Sequence, residues 1–224
     1  MDMAMGIKEM MAKRAAEEIK NGNVVNLGFG IPQKVINYIP EEMTVFVHAE
    51  NGILGAGPAA EAGKEDPTVV DSGCVAITAV PGASFFDSAD SFGLIRSGKL
   101  DITILGALEV AENGDLANWM VPGGKIPGMG GAMDLAKKSA RVVVITTQMD
   151  KKGNSKLKEK CEFPLTADKC VSLIITDMGV IEVNEDGYLL TELFEGHTAE
   201  EVIAGTDAHL NVAENLRVIR YEEQ

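Results

Sequence analysis

Cysteine is scarce in this chain. Cys74, Cys161 and Cys170 are odd in number and none belongs to a C-x-x-C pair. That argues against a disulfide framework and a thiolate zinc site, and fits a reducing cytoplasm. The three histidines, His48, His197 and His209, lack metal-ligand spacing. Positive charge is short as well: 20 Lys and Arg face 34 Asp and Glu, a formal net charge of −14. Such a field repels phosphate backbones, so nucleic acid is not an expected partner, and a phosphate-bearing ligand needs a local pocket with its own donors. No apolar run approaches the roughly 20 residues that span a bilayer, so no membrane partner is expected. The N-terminal MDMAMGIKEMMAKRAAEEIK reads as an amphipathic helix and not as a secretion signal. Repeats and low-complexity linkers are absent, which makes residues 1–224 a single domain.

What is present is an alternation of apolar β-rich runs with helical ones. VVNL (24–27) is a strand bounded by Gly28 and Gly30, and Pro32 suits the first turn of a short helix, PQKVINYI. TVFVHAE (44–50) is a second strand ended by Asn51-Gly52; GCVAIT follows around Cys74; residues 88–96 are helical. DITILGALEV (101–110) and RVVVITTQ (141–148) are buried strands, VSLIITDMGVIEV and YLLTELF are consecutive strands joined by the turn NEDG, and Thr198 caps a last helix, TAEEVIAGT. Strands apolar on both faces and separated by helices predict an α/β sheet covered on both sides, mostly parallel but mixed near residues 174–194. Five lysines in DKKGNSKLKEK (150–160) read as a solvated loop. The eleven methionines read as core filler, Trp119 as a core or interface anchor, and Asp87 and Asp90 as capping residues beside Ser88.

The 24 glycines cluster. LGFGIP follows a strand, as a phosphate-binding turn does, but Gln33 stands where the dinucleotide fingerprint needs its third glycine. PGGKIPGMGGAMDL (122–135) fails the same test at Met133 and lacks a Walker ending, which disfavours nicotinamide and P-loop enzymes. It does offer backbone access: Gly128, Gly130 and Gly131 lead into a helix near Ala132, whose free N–H groups suit a phosphate or a developing oxyanion, or the loop is simply tightly packed. Glu50-Asn51-Gly52 is on propensity a turn with an exposed acid. Its position at the carboxyl end of a strand is where open α/β sheets gather ligands, and a carboxylate there can serve as a nucleophile without an activating base, given an oxyanion site and a substrate held in attack geometry. His48, two residues earlier, shares the face of Glu50.

HAENGILGAGP resembles the S-E-N-G signature of the family I, 3-oxoacid type, coenzyme A transferases. Four further blocks resemble the same family in order: VVNLGFGIP, FFDSADSFGLIRSGKLDITILGALEV, GDLANWMVPGGKIPGMGGAMDLAKK and LIITDMGVIEVNEDGYLLTE. The resemblance covers nearly the whole chain, from about Lys13 to Leu216. Ala49 replaces the usual serine, and Ser97 and Lys99 replace a glycine and a histidine that the family more often shows. The resemblance implies an open α/β fold with a mixed, mostly parallel sheet covered by helices. It implies Glu50 as nucleophile, Gly131 with Gly130 at an oxyanion hole, and Asn26, Asn51, Gly52, Gly128 and Met129 around the bound thioester. Coenzyme A is then a substrate, with no tightly bound cofactor and no metal. An alpha subunit is the implied partner, in a cytoplasmic heterotetramer, with acetoacetate and acetate or butyrate as first-choice acids and succinate and 3-oxoadipate behind them. The rivals are an acyl-CoA hydrolase using the same glutamate and a non-catalytic module binding coenzyme A or a sugar phosphate. Because positioning of the carboxylate carries much of the rate in this reading, Glu50→Asp is expected to be severely impaired although it keeps the charge; near-wild-type turnover by that variant would count against the nucleophile.

Overall fold

The computed structural model describes residues 6–124 and 128–221. Residues 1–5, Lys125 to Pro127 and 222–224 lie outside them, including the start of the expected first helix and part of the second glycine-rich segment. In chain order the elements are α1 (Ile7–Ala16), β1 (Val24–Leu27), a 3-10 helix (Pro32–Tyr38), β2 (Phe46–Ala49), β3 (Ile53–Ala59), β4 (Ile77–Phe85), α2 (Ser88–Arg96), β5 (Ile102–Leu105), β6 (Glu109–Ala111), β7 (Leu116–Ala117), α3 (Ala132–Lys138), β8 (Val142–Ile145), β9 (Leu157–Lys158), β10 (Val171–Ile175), β11 (Gly179–Asn184), β12 (Gly187–Phe194), α4 (Ala199–Ala204) and β13 (Leu210–Ile219). None of these helices is long and apolar enough to cross a membrane.

Ten strands form one sheet in the order β13-β12-β11-β10-β8-β5-β1-β2-β3-β4, and β7, β6 and β9 form a small second one. The central block β10-β8-β5-β1-β2 is parallel throughout, and antiparallel pairs flank it on both sides. This is the mixed, mostly parallel sheet expected, and its central strands are apolar on both faces because both faces are covered. Val142 and Val144 of β8 pack with Ile95, Leu135 and Val202 of the helices on one side. Val143 and Ile145, one residue out of phase, pack with Met11, Ala12 and Ala15 of α1 on the other.

The sequence expectations fail where local pattern meets long-range geometry. DITILGALEV is two strands: the chain leaves the large sheet at Gly106, and Glu109–Ala111 joins the small sheet with Val110 fully buried. The strand expected around Cys74 starts later, at Ile77, and runs through Pro81, which an edge strand tolerates. Cys74 itself sits in a turn. The helix after Pro32 is 3-10, and β3 and β13 were not expected. The lysine run is not wholly a solvated loop. Leu157–Lys158 is strand β9, Lys156 Nζ donates to Thr146 Oγ1 at 3.0 Å, and Lys158 Nζ donates to Asp207 at 2.9 Å from a largely buried side chain. Asp87 caps α2 by accepting from Asp90 N–H at 3.0 Å, and Thr198 with Glu201 forms a capping box on α4.

One ion cluster clamps the first helix to the last strands. Arg14 of α1 donates to both Glu192 oxygens, at 2.6 and 3.1 Å, and to Glu18 at 2.6 Å; Arg217 of β13 donates to Glu192 at 2.6 Å. Arg14 and Glu192 are both buried. Removing one partner leaves the other charge desolvated and unpaired. Glu192→Leu is therefore expected to cost about 3–5 kcal/mol, read as a lower urea midpoint with an unchanged slope. A loss under 1 kcal/mol would show that the cluster is solvated and dispensable.

Candidate active site

The chain order of the central sheet creates a switch point. From β1 it passes to β2 on one side, and later returns to place β5 and β8 on the other. In open α/β sheets a crevice opens outside the carboxyl ends of the strands at such a point. Here a cleft of about 340 Å³ lies there. Its walls come from four segments: Asn26, Gly28 and Phe29 at the end of β1, Glu50 after β2, Leu105 to Leu108 at the end of β5, and Gly128 to Ala132 entering α3. Ser72, Asn118, Trp119 and Leu135 complete it, Asn118 Nδ2 donating to Gly106 O at 3.2 Å.

Glu50 occupies a three-residue connection, Glu50-Asn51-Gly52, between antiparallel β2 and β3, whose last pair is Ala49 with Ile53. Gly52 N–H donates to Ala49 O at 3.0 Å, and Gly52 takes φ +120°, where an added Cβ would collide with Phe86 O. The turn is thus what propensity suggests, but its acid is not exposed: Glu50 is half-buried against α3. Gly131 N–H, the N-cap of α3, donates to Glu50 Oε1 at 3.1 Å. A Cβ on Gly131 would overlap the Glu50 carboxylate and lie 3.0 Å from Phe92 Cζ. Only glycine lets the backbone approach so closely.

Burial holds the Glu50 carboxyl above its ordinary pKa, opposed by the Gly131 N–H and reinforced by nearby Asp134. Arg96 takes up much of that neighbouring charge, donating to the two Asp134 oxygens at 2.9 and 3.1 Å. Asn26, also in the cleft wall, is 1% exposed, and its Nδ2 donates to His48 O at 3.1 Å and approaches His48 Nδ1 at 3.3 Å. His48 is equally buried, and burial pushes it down to about 4, so it is neutral at pH 7.

The cleft brings together Glu50, Gly131, Gly130, Asn26, Gly128 and Met129 of the residues singled out in the sequence. It does not bring Asn51 or Gly52. Asn51 Nδ2 donates to Val70 O at 2.8 Å, pinning the loop that follows β3, and Gly52 serves the turn. His48 backs the cleft and does not line it. The three departures from the family pattern also stay outside. Ala49 packs with Val47 and Ile53 in an apolar cluster, Ser97 caps α2, and Lys99 is exposed. The cleft residues missed in the sequence are Phe29, which is 75% exposed at its mouth, Gly106 to Leu108, and Asn118. Gly106 carried a signal: a glycine ending an apolar strand beside the switch point. Among the described residues no group of three or more His, Cys, Asp or Glu could hold a metal ion.

A carboxyl whose folded pKa is raised favours folding most when protonated, and that contribution is lost as pH rises through the raised value. Glu50→Gln keeps an acceptor for Gly131 and carries no charge. It is expected to melt higher than wild type at pH 7, with the gap closing at pH values below the ordinary carboxylate range. A lower melting temperature at pH 7 would show that the ionised Glu50 stabilises the fold.

Residues 8–205 match the family model described as coenzyme A transferase. The chain is 51% identical over 212 residues to "Probable coenzyme A transferase subunit beta" of Bacillus subtilis, covering 94% of this chain and 98% of that one. It is 46% identical over 206 residues to the corresponding subunit of the succinyl-CoA:3-ketoacid coenzyme A transferase of Helicobacter pylori strain 26695, covering 92% and 99%. Against the mitochondrial enzyme 2A of Rattus norvegicus it is 49% identical over 207 residues but spans only 40% of that longer chain. Among solved structures, the acyl-CoA transferase YdiF apoenzyme of Escherichia coli O157:H7 superposes with a TM-score of 0.77 at 19% identity, over 98% of this chain and 45% of that one. The decarboxylase AibA/AibB superposes with a TM-score of 0.75 at 22% identity, over 97% and 90%. The chain therefore belongs to the coenzyme A transferase family and corresponds over nearly its whole length to the beta subunits of those enzymes.

Proposed function

We propose that this chain is the glutamate-bearing subunit of a short-chain coenzyme A transferase that works through a glutamyl-CoA thioester on Glu50. The observation that carries this reading is the Glu50 carboxylate held at 3.1 Å by the Gly131 N–H in a cleft at the sheet's switch point. Glu50 attacks the thioester carbonyl of an acyl-CoA; the C–S bond breaks, giving an acyl-glutamyl anhydride and CoA thiolate. The thiolate attacks the glutamyl carbonyl and expels the first carboxylate, leaving the glutamyl thioester. A second carboxylate attacks that thioester, and the released thiolate takes its acyl group from the new anhydride. Glu50 is regenerated, and no net proton is consumed.

The geometry supports these steps in two ways. First, the N–H that holds Oε1 in the resting state is placed for the oxygen that becomes negative when nucleophiles attack the glutamyl carbonyl. Second, a half-buried carboxylate with a raised pKa is a better nucleophile than a fully solvated one. The implied partner is an alpha subunit, supported by the names of the relatives covered end to end; the proposed assembly is an α2β2 heterotetramer in the cytoplasm. The acids to try first are succinate and a 3-keto acid, after the succinyl-CoA:3-ketoacid relatives, ahead of the acetate or butyrate expected from sequence.

The test is exchange by the chain co-expressed with its partner subunit. Acetoacetyl-CoA with succinate is expected to give succinyl-CoA with parallel-line, ping-pong kinetics, and slow CoA release without an acceptor. CoA release at the same rate with and without any acid would favour a hydrolase. Gly131→Ala, whose methyl displaces the carboxylate, is expected to lower kcat about 100-fold or more. Unimpaired exchange by it would remove Gly131 from the site.

A further inference from the structure

Behind the cleft, three buried side chains from three elements form a polar chain, with the buried Thr103 of β5 as register partner of Asn26 on its other side. Asn26 of β1 and His48 of β2 are register partners, so they stand side by side on one face of the sheet. Ser91 of α2 lies across from them. Their exposures are 1%, 1% and 0%. His48 Nε2 lies 2.9 Å from Ser91 Oγ, and the Phe86 ring stacks on the imidazole at a centroid distance of 6.4 Å.

The hydrogen positions follow from one fixed acceptor. His48 O, a main-chain carbonyl, can only accept, so the Asn26 amide atom 3.1 Å from it is the NH2 group. The same NH2 faces His48 Nδ1 at 3.3 Å, so Nδ1 carries the lone pair. Nε2 then carries the proton and donates to Ser91 Oγ. Both donor hydrogens of Asn26 are taken by His48, and Oδ1 is the polar atom left for the cleft that Asn26 and Glu50 share. Asn26 and Glu50 line the same cleft, so an amide turned the other way would present a donor to it.

We propose that His48 is a positioning residue: bonded through both ring nitrogens between Ser91 and Asn26, it locks the Asn26 carboxamide with its oxygen, and not its NH2, towards the cleft beside Glu50. This rests on the reading of Glu50 as nucleophile. The lock keeps the NH2 out of the cleft that holds the carboxylate, and it offers incoming substrate an acceptor that suits an amide N–H, such as those of a pantetheine arm. His48 touches no substrate in this arrangement; it acts through Asn26.

The test has a spectroscopic and a kinetic arm, both on the enzyme assembled with its partner subunit. With this chain alone labelled with ¹⁵N-histidine, solid-state NMR resolves three histidines. One is expected as the neutral Nε2–H tautomer throughout pH 5.5–8 (roughly 1.5 units above its folded value of about 4 at the lower end), and its Nδ1 signal is expected to move in Asn26→Ala. A His48 that is charged in that range, or carries its proton on Nδ1, would overturn the proposal whatever the variants do. In the kinetic arm, His48→Leu is expected to lose about 100-fold in kcat with little change in KM. His48→Asn, which restores an oxygen acceptor near the place of Nδ1, is expected to recover about tenfold. Wild-type kcat in His48→Leu would overturn the proposal, as would equal losses in Leu and Asn variants that melt like wild type. Glu50→Gln is measured alongside: full exchange activity in that variant would refute the nucleophile while the tautomer still decides the state of His48.

Discussion

The contact between the Gly131 N–H and the Glu50 carboxylate organises this molecule. It joins two segments 81 residues apart and exists only because position 131 has no side chain. Everything around it serves to bring a strand-end turn and a helix start within one hydrogen bond. The parallel block of the sheet aligns the carboxyl ends of β1, β2 and β5, and the return of the chain across the sheet opens a crevice between them. The apolar clusters on both faces hold that block rigid, which a site needing carboxylate placement within about half an ångström requires.

The electrostatics of the site run against stability and towards chemistry. Burial of Glu50 disfavours its charged form, and the molecule offsets this with one backbone N–H and with Arg96, which takes up the neighbouring Asp134. His48 contributes no charge. The site thus contains a carboxylate weakly paired by design of the backbone, in a chain whose net charge is −14. The fold alone does not dictate the outcome: a decarboxylase shares it at a TM-score of 0.75. In the proposed function the chemistry resides in Glu50 and in what the cleft walls leave free to meet it.

Much of this was legible in the sequence, for stated physical reasons. Strands buried on both faces announce themselves as continuous apolar runs, so β1, β5, β8 and β10 and the parallel sheet could be read directly. Capping residues at Asp87 and Thr198 marked two helices. Of the edge strands, β4 was read only at its first residues and β13 not at all, because their burial depends on what lies beside them; β13, LNVAENLRVI, alternates poorly and is polar for much of its length. Gly106 was hidden inside a run that looked like one strand, since an apolar pattern does not reveal where a chain steps from one sheet to another. Of the residues singled out in the sequence, Glu50, Gly131 and Asn26 line one cleft, whereas the Asn51 side chain, assigned to the site by its place in the motif, is held away by Val70 O. Adjacency in sequence says little about direction at a turn.

The most direct measurement is chemical trapping of the proposed thioester. The assembled enzyme is incubated with acetoacetyl-CoA without an acceptor acid, reduced with borohydride, digested and examined by peptide mass spectrometry. The expected result is conversion of one carboxyl, that of Glu50, to an alcohol, with no such product when acyl-CoA is omitted. An unmodified Glu50 in enzyme shown to have bound coenzyme A would contradict covalent catalysis at this residue.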